Sequence, residues 1–251
     1  MDGLDFCEIF SQEKLIKDSG MNKFFAFALL LVELLLASCS SRGEMTDLRD
    51  GKKYRTVKIG DQIWMAQNLN FEIKNSHCYN DDPKNCEKYG RLYNWQTAKE
   101  ACPAGWHLPS KTEFQALIVN VSDFKTYNEY YDNQDIMKNA DLYSRLRSSS
   151  GWREDTLFWP SGSFIAPPGN GTDDFGFSAI PSGLRRKRSL KHSENTYNYV
   201  EEGYRAYFWS SSKTEDVYIY MNICGNTDCI FSTNGSFHFA DDYYSIRCIK
   251  D

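Results

Sequence analysis

Cysteine is the residue type whose spacing most directly indicates chemistry in this 251-residue chain. Six cysteines follow residue 70, and an even number predicts disulfide bonds in a chain that is exported, which the signal sequence at residues 21–38 indicates. Two of them flank a polar loop and two flank a short turn, which predicts two local bonds and leaves one long-range bond. A zinc site is the disfavoured alternative, because the spacing lacks paired Cys-x-x-Cys motifs. The predicted pairs, chosen among fifteen connectivities, are Cys78–Cys86, Cys224–Cys229 and Cys102–Cys248.

Hard oxygen donors cluster between residues 170 and 174, where Asn170, Thr172, Asp173 and Asp174 occur. These are ligand types that calcium prefers. Asn-Gly and Asp-Asp are equally typical of turns, so calcium at Asp173 and Asp174 is one of two interpretations, and no other cofactor is indicated. With the aromatic residues of the same region, the candidate ligand-binding residues are Trp159, Asp173, Asp174 and Trp209.

His107 is the histidine whose sequence context most resembles a site. A metal or acid–base role requires partners, and the only other histidines are His77, His192 and His238. We therefore interpret His107 as structural, with a site role as the alternative. The sequence contains no recognisable acid–base constellation, so we predict no catalytic residue and expect a protein that is not an enzyme.

The first 47 residues indicate where in the cell the protein is located. Met21 and Lys23 precede an apolar run over residues 24–36, which is typical of a signal peptide and short for a membrane span. The sequence LASC at residues 36–39 resembles the lipobox of bacterial lipoproteins, in which the cysteine, here Cys39, is lipidated and becomes the mature N-terminus. An ordinary secretory signal is the alternative. The predicted divisions are 1–20, a mis-called extension; 21–38, the signal peptide; 39–47, a tether; and 48–251, a single domain.

The charge balance excludes an electrostatic basis for nucleic-acid binding. The full chain carries a net charge of -5. Removal of residues 1–38 takes away six acids and three bases and leaves 28 acids and 26 bases, which is near neutrality. We expect membrane contact through the lipid on Cys39 instead. Ser40 fits outer-membrane sorting, by resemblance to lipoprotein sorting rules, so the expected location is the cell envelope, at the outer membrane.

Local patterns predict the elements that position these residues. Alternation over residues 54–65 around Gly60-Asp61 predicts a β-hairpin with Trp64 in the core. A first helix is predicted from Leu92 to Cys102 by its apolar face. A second begins at a capping box, Ser110 to Glu113, and runs to Val121, and a third is predicted over residues 135–147. The predicted late strands cover residues 205–212, 217–223, 230–232, 236–239 and 244–249.

A hairpin first, helices in the middle and strands late give an α+β domain. Residues 152–209 include a long irregular segment with interleaved aromatic residues, which is where we expect function in such a domain. The basic run at residues 185–188 is interpreted as a solvated loop, or alternatively as a patch for anionic glycans.

Five segments, in this order, resemble the Fibrobacter succinogenes major paralogous domain family. The resemblance covers roughly residues 47–251, with departures at residues 122–150 and 185–191 that we interpret as surface elaborations. It implies a cell-envelope setting and carries over no catalytic residues, since no activity is established for that family. The segments are DGKKYRTVKIGDQIWMAQNLN, CYNDDPKNCEKYGRLYNWQTAKEACPAGWHLPSKTEFQAL, TDDFGFSAIPSGLR, FWSSS and SIRCIKD.

The layout more distantly resembles the C-type lectin-like fold: two helices packed on small antiparallel sheets, with long irregular loops and disulfide staples. WHLPSKTEF and SIRCIKD also resemble segments of the formylglycine-generating enzyme family, which shares that architecture. Fold-level analogy does not transfer function. The Glu-Pro-Asn and Trp-Asn-Asp calcium signatures of lectins are not present as such, and FWSSS stands where the second would fall.

Three functions follow as hypotheses. The favoured one is a non-catalytic binding domain for glycans or surface proteins, presented on a lipid tether. The alternative is a structural or adhesive envelope protein without a small ligand. The third, an enzyme like the formylglycine generator, would need Cys224 and Cys229 free to bind metal or exchange with thiols.

Overall fold

The fold combines strands from the beginning and the end of the described residues. The computed structural model describes residues 42–132, 142–153, 169–187, 197–215, 217–224 and 241–251. The chain divides into two units, residues 1–42 and 43–251, and nearly all of the described residues belong to the second. In chain order the strands are β1 (Arg42–Thr46), β2 (Lys53–Ile59), β3 (Gln62–Met65), β4 (Ser76–His77), β5 (Leu92–Tyr93), β6 (Trp106–His107), β7 (Ser182–Lys187), β8 (Tyr197–Glu202), β9 (Arg205–Thr214), β10 (Val217–Cys224) and β11 (Ile249–Lys250).

The helices lie mainly between the early and late strands. They are α1 (Pro83–Tyr89), α2 (Trp95–Ala101), α3 (Lys111–Val121) and α4 (Tyr127–Asp132), with a 3-10 turn at Tyr79–Asp81. Residues 142–146 are also helical. In the described residues the strands form a five-stranded sheet in the order β1-β2-β3-β11-β6, a four-stranded sheet in the order β10-β9-β7-β8, and the pair β4-β5. This confirms the α+β class.

The predicted hairpin is confirmed. Strands β2 and β3 pair antiparallel, with Val57 opposite Trp64, and Gly60 in the turn has a φ of +59°. Trp64 has no exposed surface. Its strand also pairs with β11, where Ile249 lies opposite both Trp64 and His107, so the last strand closes the first sheet.

The second predicted helix begins where the capping box places it. Ser110 Oγ accepts a hydrogen bond from Glu113 N at 3.2 Å, and Glu113 Oε2 accepts one from Ser110 N at 2.7 Å. The first predicted helix starts later than expected. Asn94 caps α2 by accepting from Thr97 N at 2.9 Å, so Leu92 pairs in a strand although it fits the apolar face of the helix.

The interpretation of the basic run at residues 185–188 as a solvated loop is wrong for residues 185–187. Residues 185–187 belong to β7, where Arg185 lies opposite Tyr199 and its guanidinium carbon lies 3.7 Å from the centroid of the Tyr197 ring. Pairing and stacking on aromatic rings explain why this segment is a strand and not a solvated loop. The predicted strands at 205–212 and 217–223 are confirmed as β9 and β10, which pair antiparallel. Several predicted segments lie outside the described residues: Arg188, the start of the third helix (135–141), and the strands at 230–232 and 236–239.

Three apolar clusters lie in the interior of the part that the structure describes. The first joins α3 to the hairpin and to β9 and β10, and the second surrounds α2 and the segment before β11. The third is smaller and contains Tyr79, Tyr89, Leu92 and Tyr243. Buried side chains of α3 recur at helical spacing, so one face of this helix supplies much of the first cluster. These side chains are Phe114, Leu117, Ile118 and Val121.

Two of the predicted disulfides are confirmed. Cys78 is bonded to Cys86, and Cys102, directly after α2, is bonded to Cys248, directly before β11. Cys224 is also disulfide-bonded, and Cys229, its predicted partner, lies outside the described residues. The Cys102–Cys248 bond spans 146 residues and connects the end of α2 to the residue before β11.

Candidate functional site

A cavity of about 500 Å³ opens between the start of the hairpin, the end of α1 and the serines at residues 148–150. Most of its lining is polar, with amides, hydroxyls and charged groups from segments far apart in the sequence. Its volume lies within the range of small-molecule pockets, which are usually more apolar. The lining therefore suits a hydrophilic ligand.

Arg247 forms part of the floor of this cavity, and its side chain is fully buried. Its Nε donates to Asn68 Oδ1 at 2.9 Å, and its Nη1 and Nη2 donate to the backbone oxygens of Phe177 and Ser178. The guanidinium carbon also lies 4.4 Å from the centroid of the Phe177 ring. These contacts hold a cation in one orientation, and none of the three acceptors is a carboxylate.

The floor carries the positive charge of Arg247 together with the carboxylate of Asp173. Burial lowers the pKa of Arg247 to about 9, with the charge of Asp173 opposing that shift and the charge of Arg55 adding to it. A group with a pKa of about 9 stays protonated near pH 7. The cavity therefore contains a buried positive charge at neutral pH.

Asn68 connects the floor to the wall formed by α1. While its Oδ1 accepts from Arg247, its Nδ2 donates to the backbone oxygen of Tyr89 at 2.8 Å and to Ser245 Oγ at 3.2 Å. The side chain is almost completely buried. Because buried and fully paired polar groups are rigid, Asn68 fixes Arg247 relative to the end of α1.

Gly90 allows α1 to approach this corner closely. Its φ is +74°, a conformation that glycine adopts without strain. A Cβ at this position would lie 2.8 Å from the backbone oxygen of Leu69 and 2.8 Å from Asn68 Cβ. Glycine is therefore required here both by its backbone conformation and by the contact with residues 68–69.

The loop at residues 173–178 completes the floor. The carboxylate of Asp173 accepts from Ser178 N at 2.6 Å and, through its other oxygen, from the Ser178 hydroxyl. Both residues have a positive φ, +53° and +52°, which is strained for side chains other than glycine. The two hydrogen bonds stabilise this loop and orient Asp173 at the cavity.

The exposed wall comes from the hairpin and the segment after it. The backbone N–H of Arg55 donates to Gln67 Oε1 at 2.8 Å, which leaves the Gln67 amide nitrogen as a donor. The Arg55 side chain is exposed. Among the residues that the structure describes, no carboxylate lies within 4.0 Å of its guanidinium.

The structure separates the four candidate ligand-binding residues. Asp173 lines the cavity, whereas Asp174 Oδ2 lies 4.0 Å from Arg145 Nε and lines another part of the surface. Trp209 has no exposed surface, stacks on Tyr244 with ring centroids 4.1 Å apart, and donates to the Tyr93 backbone oxygen at 2.7 Å. A ligand cannot reach the Trp209 ring in this arrangement. Trp159 lies outside the described residues.

The calcium hypothesis concerns Asp173 and Asp174. Asp173 accepts hydrogen bonds from Ser178, and Asp174 lies near Arg145, so the two carboxylates have separate partners. Within the described ranges, no three His, Cys, Asp or Glu side chains come together in a geometry for a metal. Calcium at this loop stays a prediction.

His107 has carboxylate partners that the sequence analysis did not anticipate. Its Nε2 lies 2.7 Å from Glu113 Oε1, and its Nδ1 lies 2.6 Å from Asp251 Oδ1. Burial lowers the pKa of His107, but the hydrogen bonds to Asp251 and Glu113 outweigh it and leave the pKa raised. The cluster joins β6, α3 and the residue after β11, and it is not part of the cavity lining.

Sequence reasoning missed Arg55, Gln67, Asn68 and Arg247 as cavity residues. Asn68 and Arg247 both lie inside segments that carry the family resemblance, NLN and SIRC, which was the available signal. Arg247 was missed because side chains alternate between the two faces of a strand. If Ile246 and Cys248 point into the core, this alternation predicts that the side chain of Arg247 points outward. The loop that covers Arg247 lies about 70 residues earlier in the chain.

The model of one protein family, the Fibrobacter succinogenes major domain, matches residues 57–250 of the chain. The matched range contains Gln67, Asn68, Asp173 and Arg247, and Arg55 lies just before it. No curated protein and no solved structure matches the chain. Among the described residues, no helix is both long and apolar enough to cross a membrane.

Proposed function

The chain belongs to the Fibrobacter succinogenes major domain family, and on that premise we propose that it is a lipid-anchored binding protein of the cell envelope whose cavity holds a glycan. The observation that carries the proposal is the polar cavity of about 500 Å³. Each hydroxyl that a ligand buries needs a hydrogen-bond partner. A sugar finds such partners here, in the amides of Gln67 and Asn70 and the hydroxyls of Ser149 and Ser150.

The C-type lectin-like interpretation of the α+β fold and the calcium hypothesis belong to this proposal. Two helices packed on small sheets, with a disulfide from helix to last strand, support the fold interpretation. Asp173 is the one candidate calcium ligand that also lines the cavity. A calcium requirement for binding would therefore connect the metal to the same site.

A glycan array tests the proposed function. The purified full chain, in a neutral detergent, is applied to envelope and plant-wall glycans with and without calcium. We expect binding to one glycan class, weakened about tenfold by Gln67→Ala, which removes one wall donor. The matched control is Gln96→Ala, an exposed change on α2, which is expected to bind like the wild type.

Absence of binding to every glycan on the array would contradict the proposal. Self-association of the same sample, unaffected by sugars, would then favour the structural or adhesive alternative. Binding that Gln67→Ala and Gln96→Ala weaken equally would place the ligand elsewhere on the surface, in contradiction to the proposed site.

The envelope location rests on Cys39, which lies outside the described residues. We propose that its sulfur carries the lipid, at the outer membrane. Radiolabelled palmitate is expected to label the wild-type chain in a bacterial host and not the Cys39→Ser variant. Equal labelling of the two would contradict a lipid anchor at this position.

The proposal treats the domain as non-catalytic. All five cysteines in the described ranges are disulfide-bonded, which supports a structural role for them over the thiol chemistry of a formylglycine-generating enzyme. Titration of the native chain is expected to detect no free thiol among residues 48–251. Two titratable thiols with copper uptake would favour the enzyme instead.

A further inference from the structure

The positive charges around the cavity differ in whether a carboxylate already pairs with them. Three lysines of the lining are paired: Lys52 with Asp50 at 2.8 Å, Lys53 with Glu44 at 2.8 Å, and Lys88 with Glu202 at 3.8 Å. The two arginines, Arg55 and Arg247, have no hydrogen-bonded carboxylate among the described residues.

Arg247 keeps unused donors. A guanidinium has five N–H groups, and three of those on Arg247 donate to Asn68 Oδ1 and to the backbone oxygens of Phe177 and Ser178. Two N–H groups therefore have no acceptor among the described residues, but the side chain has no exposed surface, so Arg247 acts on the cavity that it lines through its charge. A buried cation held rigidly below the cavity favours an anionic group in that cavity, because the interaction between charges is stronger where water is excluded.

Arg55 adds a second positive group at the same cavity. It lies close enough to Arg247 for its charge to lower the pKa of that residue. Two like charges at one cavity repel each other, and an anion bound to Arg55 relieves that repulsion. Arginine also matches the geometry of a carboxylate, to which it donates two parallel hydrogen bonds.

The remaining lining is suited to hydroxyls. Asp173, held by Ser178, is an acceptor, Gln67 offers an amide donor, and residues 148–150 are three serines. A ligand with one carboxylate and several hydroxyls matches both sets of groups. We propose that the cavity binds a sugar of the uronic acid class, with its carboxylate against Arg55, near the buried charge of Arg247, and its hydroxyls against Gln67, Asp173, Ser149 and Ser150. This inference rests on the proposed glycan-binding function.

Calorimetric titration of the full chain in neutral detergent, with digalacturonate and with its methyl ester, tests the inference. The ester keeps the hydroxyls and removes the charge. We expect the acid to bind at least about tenfold more tightly than the ester, and its affinity to fall as salt is added. Since Arg247 is buried and bonded to three neighbours, its replacement is expected to unfold the domain, so Arg55 carries the variant test.

Arg55→Gln is expected to weaken binding of the acid about tenfold and to leave binding of the ester unchanged. Lys58→Gln is the matched control: it is exposed on the same strand, removes the same charge and does not line the cavity. Equal binding of acid and ester, or equal effects of the two variants, would overturn the inference and leave glycan binding intact. Binding of neither compound, together with no binding on the glycan array, would overturn both.

Discussion

The interior of this domain contains two fully buried arginines, Arg147 and Arg247. Arg247 has three acceptors and a cavity beside it, whereas Arg147 donates from Nη1 to the Cys224 backbone oxygen at 3.1 Å. Burial lowers the pKa of Arg147 to about 10, and its Nε and Nη2 have no hydrogen-bond partner among the described residues. Burying an unpaired charge is costly. The proposed anionic ligand would give a reason for a buried cation at position 247. At position 147 the described contacts are the Cys224 backbone oxygen and the Trp152 ring, whose centroid lies 5.6 Å from the guanidinium carbon.

His107 makes stability depend on pH in a predictable direction. Its pKa is raised in the folded state, so its contribution is fully present below the unfolded pKa of about 6.5 and is lost as the pH rises through the folded pKa. His107→Gln is expected to remove this loss. The expected effect is below about 1 kcal/mol, because the side chain is 41% exposed and such pairs are screened by solvent.

Urea unfolding between about pH 6 and about pH 8, the range in which histidines titrate, measures the effect. His77→Gln is the control, because burial lowers the pKa of His77 and its contribution changes with pH in the opposite direction. That variant is expected to keep the loss of stability at higher pH. If His107→Gln and the wild type lose the same stability over this range, the His107 cluster is not the cause.

At the scale of elements, the contact between α1 and residues 68–69 depends on Gly90. Gly51 has the same φ, +74°, and an added Cβ there would have nothing within 4 Å. Both Gly→Ala changes place a side chain at a positive φ, which lowers the stability of the fold by about 1 kcal/mol. Gly90→Ala adds a clash with a backbone oxygen at 2.8 Å, so it is expected to destabilise by about 2 kcal/mol more than Gly51→Ala.

Chemical unfolding of the two glycine variants gives this difference directly. Gly51→Ala serves as the matched control for backbone conformation, so the difference isolates the close approach of α1. Equal losses of stability would show that α1 can move away from residues 68–69 at little cost. In that case the corner of the cavity would be less rigid than Asn68 and Gly90 imply.

Elements set by neighbouring residues were predictable from the sequence, and those set by distant contacts were not. The capping box at Ser110 and the turn at Gly60 depend on residues a few positions away. Leu92 fitted a helical face, but the cap at Asn94 starts α2 after it. Residues 185–187 carry charges typical of a loop, and their strand exists because β8 and aromatic rings cover it.

For the molecule as a whole, the long disulfide is expected to contribute more stability than the local one. The Cys102–Cys248 bond spans 146 residues and the Cys78–Cys86 bond spans 8. In the chain-entropy model these closures stabilise by about 5 and about 2.5 kcal/mol. Paired replacement by alanine is therefore expected to cost more at 102 and 248 than at 78 and 86, as measured by equilibrium unfolding in urea.

The two double variants control for each other, since each removes one bond and leaves no unpaired cysteine of that pair. Equal costs, or a larger cost for the local bond, would contradict the entropic account. The long bond also holds β11 beside the hairpin, one residue after Arg247. Its loss is therefore expected to loosen the floor of the cavity as well as the fold.

A variant that fills the polar cavity distinguishes the proposed ligand site from the rest of the surface. Ser149 is exposed at the lining, so Ser149→Trp places an indole in the space without disturbing the core. The measurement is the affinity for the glycan that binds best on the array, in parallel with the unfolding midpoint. We expect Ser149→Trp to abolish binding at an unchanged midpoint, while Gln96→Trp on α2 binds normally. Equal affinity of Ser149→Trp and the wild type would show that the ligand does not occupy the cavity.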